Sequence, residues 1–458
     1  MTHTSMRASR RFRRPIGALA ITAIAATALV ACSSSGGGTT GVDGGGIGTA
    51  ENPVEIRVLA NEAFAKAWQD KLVPEFNKDF PYIKVDIDGV PYSNLLAKGV
   101  LDLTGASPEH DILITDDPWT PQLASTGGLL DLETEAADWT DADYDWDDFY
   151  DAALAASEWD DKQYGVPLRS NLLLMFYNKS LYQAAGVAEP TPELTWDTFM
   201  EQAPQLVQDT DGDGETDSWA GAMTWARDPL SPTIWQSVLD SNGGELFDDE
   251  MNPTFDNKAG VAALRTQIDL LDYAPAGATN YNYNEPLDAF RQGKVASIFT
   301  WGSAYKSAAV DQDVTTLTPD QVGIQTMPAG SESAATHRGI WSGSVVKKSE
   351  NPEAAWALLQ WMSSKKGETW AVNNLGSFPA RESTLSTAPE QEWMVPVFAA
   401  IQEGFVAAEA GDMWRPRSPQ SNAIQEILAD QTSAAVNGQV SADAALKKAS
   451  EQIKKLLK

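Results

Sequence analysis

The chain has one cysteine in 458 residues, Cys32, so whatever it folds into must hold together without an intramolecular disulfide. Stability then rests on an apolar core, and the roughly 427 residues from Cys32 onward are too many for one simple core, so two lobes are expected. The alternation in Val54-Glu55-Ile56-Arg57-Val58-Leu59 predicts a strand. Asn61 then reads as an N-cap, with Phe64, Trp68, Leu72 and Phe76 following at helical spacing. Ile83, Val85 and Ile87 alternate again. Leu95 to Leu103 suits a helix, and Asp111-Ile112-Leu113-Ile114 a short buried strand. Strands alternating with helices imply an α/β fold, a parallel sheet with helices on both faces. Such sheets bind ligands at the carboxyl ends of their strands, here Asn61-Glu62 and Thr115-Asp116-Asp117-Pro118-Trp119. Further on, Asn351 is expected to cap and Pro352 to open a helix carrying Ala355, Trp356, Leu359 and Met362. Ser441 caps a final helix whose stripe of Leu446, Ala449, Ile453 and Leu456 is ordinary core-facing amphipathicity. No repeat of fixed period is visible.

Ahead of Cys32 stand arginines at 7, 10, 11, 13 and 14, an uncharged stretch from Pro15 to Ala31, and small residues at the junction. This arrangement resembles the bacterial lipoprotein signal. The resemblance implies that residues 1–31 are a removed signal peptide and that Cys32 carries diacylglyceryl and palmitate. The protein would then sit lipid-anchored on the outer face of the cell membrane. An ordinary secretory peptide with an incidental cysteine is the alternative, and Arg10-Arg11 leaves Sec and Tat export both open. Residues 32–51 read as a flexible Gly/Ser tether. Removing residues 1–31 takes away five arginines and no acid, which moves the formal charge from −31 to −36. A surface this acidic repels phosphate backbones, so nucleic acid is not an expected partner. No later segment is long and apolar enough to span a bilayer.

Several chemistries are excluded by composition. Past the signal only His110 and His337 remain, with no cysteine but Cys32, so neither a Cys/His zinc site nor a cysteine nucleophile can be assembled. No Gly-x-Ser-x-Gly elbow or Gly-rich phosphate loop accompanies either histidine, and His110 reads as a loop residue before a strand. A carboxylate pair remains open, since there are 64 acids. The 16 tryptophans are all in the mature region. Trp119, Trp225, Trp301, Trp341 and Trp414 lie beside turn or strand-end residues rather than on helical stripes, and flat rings with a polar edge suit sugar faces. Each could equally plug a large core. Asp209, Asp211, Asp213, Glu215 and Asp217 alternate around Gly212 and Gly214 like the first half of a calcium loop. Position twelve is Ala220, so an EF-hand is not complete, and a solvated acidic turn is the competing reading.

From Tyr164 the chain runs Tyr164-Gly165-Val166-Pro167-Leu168-Arg169-Ser170-Asn171 to Tyr177-Asn178-Lys179, then Ala185-Gly186-Val187 and Thr195-Trp196-Asp197. Further blocks are Asp111 to Leu132, Gly293 to Gly302, Asn351 to Trp356 and Phe378-Pro379-Ala380-Arg381. In this order they resemble the extracellular solute-binding proteins of family 1, the carbohydrate receptors of ABC importers. The resemblance implies a type II periplasmic-binding-protein-like fold, two α/β lobes joined by a hinge with a ligand cleft between them. By the family's connectivity the first lobe is 52–158 plus 321–372 and the second 159–320 plus 373–458. It implies a monomer that captures a disaccharide, oligosaccharide or polyol, hands it to membrane permease subunits by hinge closure, and requires no cofactor, with a structural calcium as the open alternative. Carried over, the ligand-binding positions are Glu62, Asp117, Trp119, Arg169, Asn171, Trp225, Trp301, Trp341 and Arg415. Pro-Leu-Arg-x-Asn together with Trp414-Arg415-Pro416 is similar to the polyol and disaccharide branches, while the first-lobe loop departs from the maltose-receptor pattern. Two other classes compete. One is an exported carbohydrate-active enzyme using a carboxylate pair. The other is a receptor for a peptide or anionic solute, for which Arg169, Arg227, Arg415 and Arg417 are the evident cationic residues.

Overall fold

In a computed structural model the described residues are 47–209, 212–228, 231–408 and 415–458. Cys32 and the segment before it, most of the expected tether, Asp211 and Trp414 lie outside them. Ten strands are found among the described residues: β1 (Val54–Asn61), β2 (Ile83–Val90), β3 (Ile112–Asp116), β4 (Glu158–Trp159), β5 (Lys162–Gln163), β6 (Val166–Asn178), β7 (Trp219–Ala222), β8 (Val295–Trp301), β9 (Val322–Gln325) and β10 (Arg338–Val345). β1 runs parallel between β2 and β3, as the βαβ pattern predicts. Its residues from Val58 to Asn61 are all buried because helices cover both faces.

The sheet continues β2-β1-β3-β10-β6-β8-β7, with β9 also on β6. β6 makes two different sets of neighbours along its thirteen residues. Up to Leu172 it pairs antiparallel with β10, and from Leu173 it pairs with β8 and β9. One strand therefore passes from the first half of the molecule into the second. The return lies between β9, which is hydrogen-bonded to the second part of β6, and β10, which joins β3 and the first part. The first crossing lies within β6 and the second between Gln325 and Arg338. Phe378 and Ala380 accept backbone hydrogen bonds from Ser170 and Tyr150.

Local signals are realised where they are self-contained. Asn61 caps its helix by accepting from the Ala63 amide at 2.8 Å. Asn178 caps the helix Lys179–Ala185, which Gly186 ends in the left-handed region at φ 69°. Ser441 caps as predicted, and Thr195 caps the helix Trp196–Leu206. Asn351 does not cap; its side chain instead reaches the Glu55 carbonyl at 3.4 Å. The helix predicted from Phe64 to Phe76 opens into a π turn over Trp68–Leu72, directly before Pro74, which has no N–H for the regular ladder. His110 is the expected loop residue before β3, and it is fully buried, with Nδ1 2.7 Å from Asp102 and Nε2 3.3 Å from Asp88.

Arg381, from the Phe-Pro-Ala-Arg block, is a buried cation holding this region together. It lies over the Phe149 ring at 3.9 Å and donates to the carbonyls of Ser363, Tyr144 and Asp145 and to Asp148. Glu368 sits beneath it, accepting from the amides of Ala380 and Arg381, and burial pushes its carboxyl up to about 7. Arg381→Ala leaves these groups unpaired and is expected to cost about 3–5 kcal/mol in urea unfolding. Because the Glu368 pKa is raised on folding, its contribution is greatest in acid and is lost as pH rises toward 7. Glu368→Gln, measured against the parent chain, should therefore be relatively more stable at pH 8 than at pH 5.

Candidate functional site

The register between β3, β10 and β6 builds the centre of the site. Trp341 of β10 is paired with Asp116 on one side and Arg169 on the other. The pairing slips between Trp341 and Ser342, so Leu168 is the extra residue of a bulge next to Arg169. Arg169 and Asn171 are the two residues of β6 that escape full burial. The Arg169 guanidinium lies 5.2 Å from the centre of the Phe64 ring, and Phe64 meets Trp341 edge-on at 5.1 Å. Among the described residues no carboxylate pairs with Arg169. Tyr283 is the ionisable neighbour it faces, and burial holds the guanidinium below its usual value. The Tyr283 hydroxyl is hydrogen-bonded to Thr300, and its burial raises its pKa.

Trp301, ending β8, closes the opposite side. Its ring lies against Gly339, where a Cβ would come within 3.1 Å of the indole, and it meets His337 edge-on at 6.0 Å. The close approach requires glycine there. Asn171 fixes the turn after Trp301, donating to the Ser303 hydroxyl at 2.9 Å and accepting from the Ser303 amide. Glu62 is exposed in the first turn after β1. Arg169, Asn171, Trp301 and Trp341 thus converge, with Glu62 at the end of a neighbouring strand.

Asp117, Trp119 and Arg415 form a second, drier group. Arg415 donates in bidentate fashion to Asp116 at 2.7 and 2.6 Å and also bonds Asp117, while the Tyr92 hydroxyl donates to Asp116 at 2.8 Å. All three charged side chains are nearly inaccessible. Burial and the adjacent Asp116 push the Asp117 carboxyl up to about 7 against the pull of Arg415, whose own value is raised well above normal by the two aspartates. Trp119 packs on Tyr92 at 4.9 Å and Trp341 at 6.4 Å. Nearby, Arg417 donates to the carbonyls of Ala156 and Glu158, and the Ser421 hydroxyl to that of Pro118. Residues 415–421 lead into the helix Ser421–Val436, which packs on helices of the second half, so these bonds tie the halves together.

Two expectations are corrected. Trp225 is core: it is 2 % exposed and its indole N–H donates to the Gln267 carbonyl. Arg415 spends its terminal nitrogens on carboxylates 298 and 299 residues away in sequence, a partner choice no local pattern reveals. The acidic loop is internally bonded: Asp209 accepts from the amides of Gly212 and Gly214, and Asp213 from Glu215. Among the described residues no three acidic, His or Cys side chains gather to hold a metal, and Asp211 lies outside them. Phe64, Tyr92, Tyr283 and Thr300 are site residues that the sequence reading missed. Phe64 was legible only as a position one turn into a helix at the carboxyl edge of the sheet.

The family described as bacterial extracellular solute-binding protein matches residues 61–369. A probable amino-acid ABC transporter periplasmic-binding protein of Sinorhizobium fredii is 25 % identical over 392 residues, covering 83 % of this chain and 84 % of its own. Among solved structures, the GacH receptor of Streptomyces glaucescens GLA.O, in a study of its unliganded and acarbose-bound forms, superposes with a TM-score of 0.73 at 28 % identity, covering 88 % of this chain and 98 % of that one. An ABC transporter solute-binding protein from Agrobacterium radiobacter K84 in complex with ribitol gives a TM-score of 0.73 at 25 % identity, with 88 % and 98 % coverage. The fold is thus the two-lobed α/β fold of these binding proteins.

Removing one partner of a buried ion cluster strands the others, so Arg415→Met is expected to cost about 3–5 kcal/mol in urea unfolding; a loss below about 1 kcal/mol would mean the cluster is solvated. Calcium against chelator should leave the melting temperature unchanged, since Asp209 already spends both oxygens on amides.

Proposed function

The chain belongs to the bacterial extracellular solute-binding protein family, and we propose that it is the substrate-binding component of an ABC importer, capturing a neutral carbohydrate or polyol between its lobes. The observation that carries this reading is Arg169, a guanidinium on a crossing strand with no carboxylate partner among the described residues, beside Phe64 and Trp341. Its planar donors suit adjacent hydroxyls, and the indoles suit the C–H faces of a sugar or extended alditol. The ligands named for related receptors, ribitol and acarbose, are both polyhydroxylated and support the same chemistry.

Binding without turnover fits the carboxylates. Asp116 and Asp117 are adjacent acids at the end of β3, and both are buried and engaged by Arg415, which leaves neither free to protonate a leaving group. A solute touching both lobes stabilises the closed arrangement through its differential affinity alone, and permease subunits would read that arrangement. On this reading the protein works outside the cytoplasm as a monomer, in lobes near 52–158 plus 321–372 and 159–320 plus 373–458, tethered through acylated Cys32. The net charge of −36 disfavours anion capture, and Arg227 is already held by Glu426 and Asp430.

Calorimetric titration with alditols and with mono-, di- and trisaccharides should find a ligand with Kd below about 1 mM, a binding energy beyond about −4 kcal/mol, and no released sugar. Arg169→Ala is expected to weaken that ligand about 10- to 100-fold. Failure of the whole panel to bind, or hydrolysis of an oligosaccharide, would defeat the proposal.

A further inference from the structure

The cluster of Arg415 with Asp116 and Asp117 does not balance in charge. Its carboxyls belong to the first half, at and just after the end of β3. Its guanidinium comes from the segment entering the helix Ser421–Val436 of the second half. Each of the three residues is no more than 4 % exposed. Two carboxylates around one guanidinium leave a net charge of −1 away from water, and an unbalanced buried charge is strongly disfavoured. The two carboxyls are also in hydrogen-bonding contact with each other. Two ionised carboxylates cannot make that bond, because neither has a proton to donate. One shared proton resolves both conflicts: one aspartate donates to the other, and a single negative charge remains opposite Arg415.

The charges acting on Asp117 are those of Arg415 and Asp116. The groups around them do not replace the proton. Tyr92, from the helix Tyr92–Thr104, donates its hydroxyl to Asp116, and burial keeps that phenol protonated. His337, just before β10, is held neutral by burial and by the positive charges of Arg415 and Arg338. Asp228 and Glu426, of the second half, line the groove beside Arg415 and add no cation, and Glu426 is paired with Arg227.

We propose that closing the two halves takes up one proton at this cluster, which makes it a pH-sensitive latch that acid closes. This rests on the hinge motion proposed above and not on which solute binds. The direction follows from the two states. With the halves apart, water reaches both carboxyls and they titrate in the ordinary range near about 4. In the closed cluster burial raises Asp117 to about 7. The proton is bound on closing between these limits, so the closed arrangement is favoured in acid and loses that advantage as pH rises through about 7. Within the window a full proton shifts the closing equilibrium about tenfold per pH unit.

Small-angle X-ray scattering of the full chain without solute, at pH 5 and pH 8, tests the latch alongside the variants Asp116→Asn and Asp117→Asn. Each asparagine leaves one carboxylate for one guanidinium, so neither variant needs the proton. Circular dichroism at both pH values confirms folding, and one folded variant suffices. The expected result is a smaller radius of gyration for the parent at pH 5 than at pH 8, and an equal radius at both for each folded variant. A variant that keeps the parent's pH dependence overturns the proposal, since the remaining acids of the chain would then account for it. A parent radius that is unchanged, or larger in acid, overturns it as well. No solute is present, so a negative result leaves the carbohydrate reading standing, and failure of the sugar panel leaves the latch standing.

Discussion

Trp341 hydrogen-bonds through its strand to the strand of Asp116 on one edge and to that of Arg169 on the other. Everything functional follows from that ladder. It places one cation where aromatic rings shield it and, among the described residues, no carboxylate neutralises it, one strand away from a cation engaged by two carboxylates. The same sheet carries both because β6 is long enough to pair with β10 and then with β8 and β9. A strand shared by two halves lets them move about it without breaking the core of either, which is the mechanical requirement for a cleft that opens and closes.

The contacts across the seam are of two kinds. Arg417 and Ser421 donate to backbone carbonyls, a modest and geometrically specific link. The Arg415 cluster is different, because burying three charges has a large desolvation cost that only complete pairing offsets. Separating the halves would rehydrate it. Arg169 has the opposite balance. Its partial burial without a counter-charge favours any solute that offers oxygen atoms, so the ligand supplies what the protein leaves out. Together they make closure depend on contact geometry and the final affinity depend on the solute.

Much of the scaffold could be read directly. The period-two apolar pattern of β1 and β2, the caps at Asn61 and Ser441, and the left-handed Gly186 are local features, and local physics sets them. The crossing segment Pro167 to Asn171 was also visible as the source of Arg169 and Asn171. What could not be read was long-range pairing. Trp225 and Trp301 both stand beside turns, yet one bonds a helix carbonyl in the core and the other lies on Gly339 at the cleft. Arg415 was carried over as a ligand-binding position by resemblance, and nothing near it in sequence shows that Asp116 and Asp117 face it. The burial of His110 could not be read because Asp88 and Asp102 come from other elements. Tyr283 and Thr300 carry no motif and enter only through the fold.

The most direct test of the account is a crystal structure of the full chain grown with whichever saccharide or alditol it binds most tightly. The account predicts ligand hydroxyls within hydrogen-bonding distance of the Arg169 guanidinium, a ring or carbon backbone lying on Trp301 or Trp341, and the Arg415 cluster intact. A ligand bound elsewhere, or an Arg169 paired with a protein carboxylate in place of solute, would contradict it.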